Sequence, residues 1–567
     1  MIVVMILSLP SGSGSLREMA QSGAKAFMLI SYGQLAAICL LTPLFMAGAI
    51  AQESNPRTWE ILVTTPLNSV QIVLGNLAGR LFFALALLLA ALPLCILIRL
   101  FGGVRTGSVV ASLGVSACSA LFLGSVAVSL GVMRSAGKRG VVAFYAATVL
   151  TLFATWAADR ALQQPVAVGL DAVHTTVMTP LNPFLALHSE LNADAYQPWD
   201  LGTADAGFLT RLWLGRPLLA MTIGASLASL LLLTLATLRV RLVGARSEAS
   251  TGGLSRFLRR VSSKGERTPR RVWQNPVAWR EASLRVSTPL AGIGRWVVLA
   301  VGVGAAVTVL GLHRSGTLDT NTTRLALGGL VMGEVVLALL VAISASATAV
   351  SREREDGSLD ILLTTPIQPG PYLSGKLRGL LAALWPALAA PTLTLLLGAG
   401  YMSAGGFGAP STSTLAIVGT VKIDEPLVLV PAALVFGPSF AAFMAFACMC
   451  GLSWSVGSRG VIGSTVGALG VVAATVLVLG LCGLATGKDI PLVGPVITCL
   501  SPVNLAWAAV QPASAVPGQL AEPQGALIAF VVGTTMAVTI FVITTTTMHA
   551  ALKRNFMTTV RRLAGLK

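Results

Sequence analysis

Apolar runs close to 20 residues long recur along most of this 567-residue chain. About 20 residues, at a rise of 1.5 Å each, let a helix cross a hydrocarbon core about 30 Å thick. Within such a core every backbone N–H and C=O must be satisfied internally, which leaves only helices and closed barrels. The runs are continuous rather than alternating, which disfavours a barrel. The chain is 54% hydrophobic and only 11% charged, against about 25% charged in an average soluble domain. It reads as an all-α polytopic membrane protein.

Window length places spans in the second half at 292–312, 323–350, 377–400, 427–455, 460–483 and 526–548. Matching spans in the first half lie at 25–51, 76–101, 106–133, 139–160 and 215–238, giving about 11 complete transmembrane helices. The net charge of +17 does not mark a nucleic-acid binder. Its cations gather where spans end on one side: Arg134, Lys138 and Arg139; Arg239 to Arg271; Arg352 to Arg378; Lys553 to Lys567. That is the positive-inside pattern. It predicts cytoplasmic positions for 240–290 and the C-terminal tail, and non-cytoplasmic ones for 161–214 and 484–525. The predicted organisation is a first repeat over 1–240, a basic cytoplasmic linker over 241–272 and a second repeat over 273–567. Each linker cation near an anionic leaflet is worth about 1 kcal/mol, but a tether that enforces topology explains the charge sufficiently.

Six of the seven cysteines lie in apolar runs and Cys499 outside them, so no disulfide framework is expected. Cys448 and Cys450 flank Met449, a soft-metal donor set, yet residues two apart on a helix point to different faces. The four histidines share no ligand spacing, and no metal site is expected.

The chain also repeats itself. Glu60-Ile61-Leu62-Val63-Thr64-Thr65-Pro66-Leu67 returns as Asp360-Ile361-Leu362-Leu363-Thr364-Thr365-Pro366-Ile367, an offset of 300 that holds through Gly75/Gly375, Leu77/Leu377 and Gly79/Gly379. Thr179-Pro180-Leu181-Asn182 is echoed by Ser501-Pro502-Val503-Asn504 at an offset of 322, so the first half has the shorter connection between the two motifs. A shared motif at this distance indicates two copies of one unit, and an even number of spans per unit makes the copies parallel. At the 300 offset Met1–Pro10 corresponds to the later part of a span, Val301–Leu310. The first repeat is therefore expected to lack its elbow and part of its first span.

Both copies of the T-T-P motif follow a charged stretch between two spans. Glu353, Glu355 and Asp356 form an acidic cluster expected to face water, Gly357 is suited to break the helix, and Ser358 is placed to cap a short new one. That helix would carry Leu359, Leu362 and Leu363 as a stripe for a partner or the bilayer surface, and end at Pro366. The segment from Arg352 to Pro366 resembles the loop between the second and third spans of ABC-2 type transporter permeases, with its E-x-E-x-G-[ST]-x-[ED]-x-L-L-x-[TS]-P-like pattern. Asn275-Pro276-Val277-Ala278-Trp279-Arg280-Glu281 is similar to the elbow helix of the same family.

The resemblance implies two permease units fused in one chain as a pseudo-dimer, with one such chain or two forming a transporter. It also implies export driven by separate cytoplasmic ABC ATPase subunits, which would hold ATP and Mg²⁺, with no cofactor on this chain. The residues it assigns to ATPase coupling are Glu53, Glu60, Thr64, Thr65 and Pro66, with Glu353, Glu355, Gly357, Asp360, Thr364, Thr365 and Pro366. The first copy departs from the pattern, with Pro56 at the position of Asp356 and Arg57 at that of Gly357. No G-x-x-x-x-G-K-[ST] run or L-S-G-G-Q-like signature occurs, so an ATPase would have to be a separate chain.

Glu334 falls inside a span, and Gln34 is its counterpart at the 300 offset. A carboxylate at membrane depth is costly and tends to face a bundle interior or cavity. The two are candidates to line a translocation path, against a purely structural role for a protonated or paired acid. The main rival to the whole reading is a secondary active transporter with two parallel six-helix repeats. A lipid-modifying membrane enzyme would need converging carboxylates or histidines that the sequence does not show.

Overall fold

In the computed structural model the described residues are 16–53, 66–99, 103–132, 140–166, 172–200, 207–245, 272–286, 289–355, 357–359, 364, 366, 368–408, 412–418, 421–458, 460–489, 493–517 and 523–563. The chain divides into two compact units, Met1–Thr251 and Gly252–Lys567.

In the first unit the long helices are α1 (Leu16–Glu53), α2 (Ser69–Arg99), α3 (Thr106–Val132), α4 (Gly140–Leu162) and α7 (Pro217–Ala245). Between α4 and α7 the chain forms a small cap. Two short parallel strands, β1 (Val173–His174) and β2 (Tyr196–Gln197), flank α5 (Pro183–Leu191), and α6 (Phe208–Gly215) follows. The core is built from one face of each helix. On α2, Val73, Leu77, Leu81, Ala84 and Leu88 recur at helical spacing and pack with Leu35, Ile38, Val115, Leu123 and Val128.

The second unit begins with α8 (Pro276–Val286) and continues through α9 (Pro289–Arg314), α10 (Thr320–Ala347), α11 (Ser351–Glu355) and α12 (Pro369–Ser403). An antiparallel hairpin, β3 (Thr412–Val418) and β4 (Val421–Pro426), precedes α13 (Val430–Gly457) and α14 (Val461–Asp489). Three short helices, α15 (Val493–Thr498), α16 (Pro502–Val510) and α17 (Pro512–Ala515), lead to the 41-residue α18 (Pro523–Leu563). α13 is the central post, with Phe436, Phe440, Phe443, Cys448, Met449 and Cys450 at most 1% exposed.

Among the described residues, eight helices are long and apolar enough to cross a membrane, three in the first unit and five in the second. The other three expected spans are also helical. On α1 and α9 the apolar stretches within the described residues are Ala26–Cys39 and Leu299–Arg314. The chain is thus a multi-pass, helical membrane protein.

The change of offset from 300 to 322 has a visible origin. α2 and α12 begin at corresponding positions, Ser69 and Pro369. α2 and α3 are joined by residues 100–105, whereas 404–429, including the hairpin, join α12 to α13. The two copies of the Pro-x-Asn motif also do the same work. Asn182 Nδ2 donates to Leu152 O of α4 at 2.9 Å, and Asn504 Nδ2 donates to Gly480 O of α14 at 2.7 Å. Each ties a short helix to a carbonyl of the long helix before it.

The cap of the first unit is organised around Asp159, which is fully buried. Its Oδ1 accepts from Thr176 Oγ1 (2.5 Å) and Tyr196 OH (2.6 Å), and its Oδ2 from Gln163 Nε2 (2.8 Å). Burial and the adjacent Asp159 carboxylate push the Tyr196 phenol above its ordinary range. Burial also lowers His188, whose Nδ1 meets Tyr32 OH at 2.7 Å.

Candidate functional site

The elbow forms as its sequence dictates. Asn275 Oδ1 accepts from Val277 N (3.0 Å) and Ala278 N (3.1 Å), which satisfies two of the donors a helix leaves free at its start. Pro276 occupies the first helical position, where the lack of an N–H carries no penalty. The same Asn275 donates through Nδ2 to Pro371 O at 2.9 Å, pinning the start of α8 to the start of α12.

α8 then lies against α12 closely enough to exclude side chains. A Cβ at Gly375 would stand 2.7 Å from Asn275 Oδ1 and 2.9 Å from Val277 Cβ. One at Gly379 would stand 2.6 Å from Glu281 Cβ and 2.8 Å from Ala278 O. The glycines are where they are because the elbow backbone occupies the space of a side chain.

Between those two glycines sits Lys376. Its Nζ donates to Glu281 Oε2 of the elbow (2.8 Å), to Glu353 Oε1 of α11 (2.7 Å) and to Ala349 O (3.2 Å). All three side chains are largely buried, at 4%, 11% and 14% exposure. Tyr372 OH donates to the second Glu353 oxygen at 2.6 Å, and Arg280 Nη1 lies 3.9 Å from Oε1. One lysine therefore links the elbow, the end of α11 and the start of α12. Removing one partner from such a buried pair costs about 3–5 kcal/mol, so the three elements are bound to move together.

Around this loop the structure departs from expectation at Glu353 and Leu359. Glu353 does not face water, because Lys376 and Tyr372 enclose it. Glu355 is exposed, and Asp356 lies outside the described residues. Ser358 and Leu359 are helical, Ser358 Oγ also donates back to Glu353 O at 3.2 Å, and the rest of the expected short helix lies outside the described residues. Leu359, expected on a partner-facing stripe, is 2% exposed and packs with Val350, Tyr372, Leu373 and Phe556 in the unit's own core. Its apolar side chain finds cover at once, so no partner is needed to bury it. Lys376, within the cation cluster Arg352 to Arg378, is buried and paired. The helix break does fall at Gly357, whose φ of 68° suits a residue without Cβ.

Thr364 and Pro366 are exposed. Asp360, Leu362, Leu363 and Thr365 lie outside the described residues, as do Glu60, Thr64 and Thr65 and the side chain of Glu53; Pro66 is exposed. In the elbow, Trp279 is half-buried, Arg280 exposed and Glu281 buried.

Two further residues of this end were not legible as functional. The Arg354 guanidinium donates to Val456 O (2.8 Å) and to Ser458 O, joining α11 to the end of α13. At the break between α10 and α11, Ser455 Oγ accepts from Val350 N (2.9 Å) and Ser351 N (2.8 Å). The signal for Lys376 was present in the repeat, where asparagine stands at position 76 between the equivalent glycines.

Glu334 lies on α10 with its carboxyl directed to α9 and α12. Oε1 accepts from Thr394 Oγ1 at 3.1 Å and occupies the notch left by Gly302, and among the described residues nothing bonds to the buried Oε2. Gln34 is 6% exposed, and among the described residues neither polar atom of its amide has a partner. The two candidate path residues are thus interior to their own units, each with polar capacity unspent.

Among curated proteins and solved structures, none matches the chain. Residues 278–558 match a family model described as ABC-2 family transporter protein. A match that starts inside the elbow and stops near the end of α18 makes this chain a member of the ABC-2 family, a transporter permease.

Proposed function

We propose that this permease is the membrane-spanning part of an ABC exporter whose ATP and Mg²⁺ are bound by separate cytoplasmic ATPase subunits. The observation that carries the reading is the buried Lys376 node. An ATPase pressing on the exposed part of the loop, around Glu355, Thr364 and Pro366, would push on α11. Through Glu353, Lys376 and Glu281 that push would reach α12 and the elbow without slack. A loop held only by surface charge would transmit little.

In this reading the chain holds two permease repeats, 1–240 and 273–567, joined by the linker 241–272, with about 11 complete spans and a cytoplasmic C-terminus. The loop from Glu53 to Pro66 is the weaker partner of the loop from Glu353 to Pro366. Gln34 and Glu334 line the route of the substrate. That no donor meets the buried Oε2 of Glu334 among the described residues supports that role, since such an acceptor has affinity to offer.

Purification of the full chain from its native membrane, with quantitative mass spectrometry of whatever co-purifies, tests the main claim. A stoichiometric ABC ATPase and ATP-dependent transport in vesicles are expected. Transport driven by an ion gradient alone would favour the secondary transporter instead. For the path, Glu334→Gln is expected to alter transport, and unchanged transport would end that assignment.

A further inference from the structure

The first unit carries an apolar surface that its core does not use. α6 ends at Gly215, and Arg216 alone separates it from Pro217, where a candidate span begins. At 100° per residue Phe208, Leu209, Leu212 and Trp213 share one side of α6, with Thr210, Arg211 and Leu214 on the other. The helix is fixed by its last turn. Leu214 O accepts from Thr175 Oγ1 (3.1 Å) and Trp199 N (3.3 Å), and Trp213 Nε1 donates to Val177 O (2.9 Å). Its first turn projects outward, leaving Phe208 78% and Leu209 76% exposed. Val177 and Leu181, on the segment to which Trp213 is bonded, are 53% and 55% exposed.

What covers this surface follows from continuity. α7 itself presents a lipid-facing stripe of Leu219, Ile223, Leu227, Leu230 and Leu238, 41% to 70% exposed. A helix one residue from the end of that span sits where the hydrocarbon gives way to headgroups. There an apolar stripe is favourable and a tryptophan or arginine is at home. A water-exposed patch with two side chains more than three-quarters bare is not.

We infer that α6, together with Val177 and Leu181, is a lipid-docking surface: it lies in the membrane interface with Phe208 and Leu209 among the upper acyl chains. The cap built on Asp159 is thereby seated on the bilayer. This inference needs the membrane but no ATPase.

The test uses the full chain in phosphatidylcholine vesicles, with Cys118 and Cys482 replaced by serine. A nitroxide is attached in turn to Phe208→Cys, Leu209→Cys, Thr210→Cys and Asp200→Cys. Labels at 208 and 209 are expected to collide preferentially with oxygen over a water-soluble nickel chelate, at a depth of about 5–10 Å below the headgroups. The label at 200 should give a water profile, and that at 210 a shallower one than its neighbours. Water profiles at 208 and 209 would overturn the inference. Labels there that neither reagent reaches would also overturn it, in favour of protein cover such as a second copy. Two sites on one stripe keep the result readable should either variant fold poorly.

Discussion

The start of α12 and the start of α2 share glycines at the same two positions, yet among the described residues only one pair is packed against another element. Gly375 and Gly379 are buried under the elbow, with Lys376 between them held by two glutamates. Gly75 and Gly79 are exposed, and among the described residues nothing lies within 4 Å of a Cβ placed on either. At position 76 the chain has asparagine in place of lysine. A buried cation is tolerable only beside its anions, so the lysine belongs with the elbow that supplies Glu281. The difference teaches that a residue shared by two copies of a motif need not have the same job in both.

The largest test of this contrast is Lys376→Ala, which strands two buried carboxylates. It should destabilise the protein by about 3–5 kcal/mol, read as a loss of thermal stability in detergent. Asn76→Ala should cost about 1 kcal/mol at most, the worth of one hydrogen bond. Equal effects would mean that the two helix starts are equivalent after all.

Next comes alanine at the glycines. Gly379→Ala must displace the elbow and should destabilise by about 1–3 kcal/mol. Gly79→Ala meets no obstacle among the described residues and should stabilise its helix by about 0.5–1 kcal/mol. Opposite signs in the same melting assay are the expected outcome.

The Pro-x-Asn motifs sharpen the comparison from the other side, because there the units agree. Asn182→Ala and Asn504→Ala each remove that tie and should cost about 0.5–1.5 kcal/mol, to a similar extent. A loss confined to one would break the parallel. Asn275→Ala, which removes the elbow's cap, should cost about 1 kcal/mol. Because Asn275 also holds Pro371 O, that variant should loosen the elbow first, visible as faster hydrogen exchange in Pro276–Val286 than in Pro369–Ser403.

Much of this fold was legible because membrane helices announce themselves by length and apolarity. The elbow was legible for a similar reason: Asn275-Pro276 is a local start signal that needs no tertiary partner. The burial of Leu359 and Glu353 was not. Both look like surface residues of a charged loop, and only the packing of α12 and α18 against that loop covers them. Periodicity gave Leu359 an apolar face without saying which body would meet it. The pairing of Lys376 was hidden for the same reason, since a lysine at a span end satisfies the positive-inside pattern whether it is hydrated or paired.

By itself, then, the sequence determined that this chain crosses a membrane as helices, that it carries one motif twice 300 residues apart, and where its elbow begins. Those properties rest on local composition and spacing, which every backbone of that sequence must honour. Tertiary structure alone decided which of the two glycine pairs is occupied, and that a single lysine joins elbow, loop and helix. Charge and size at one position cannot specify the neighbour that neutralises the one or fills the space left by the other.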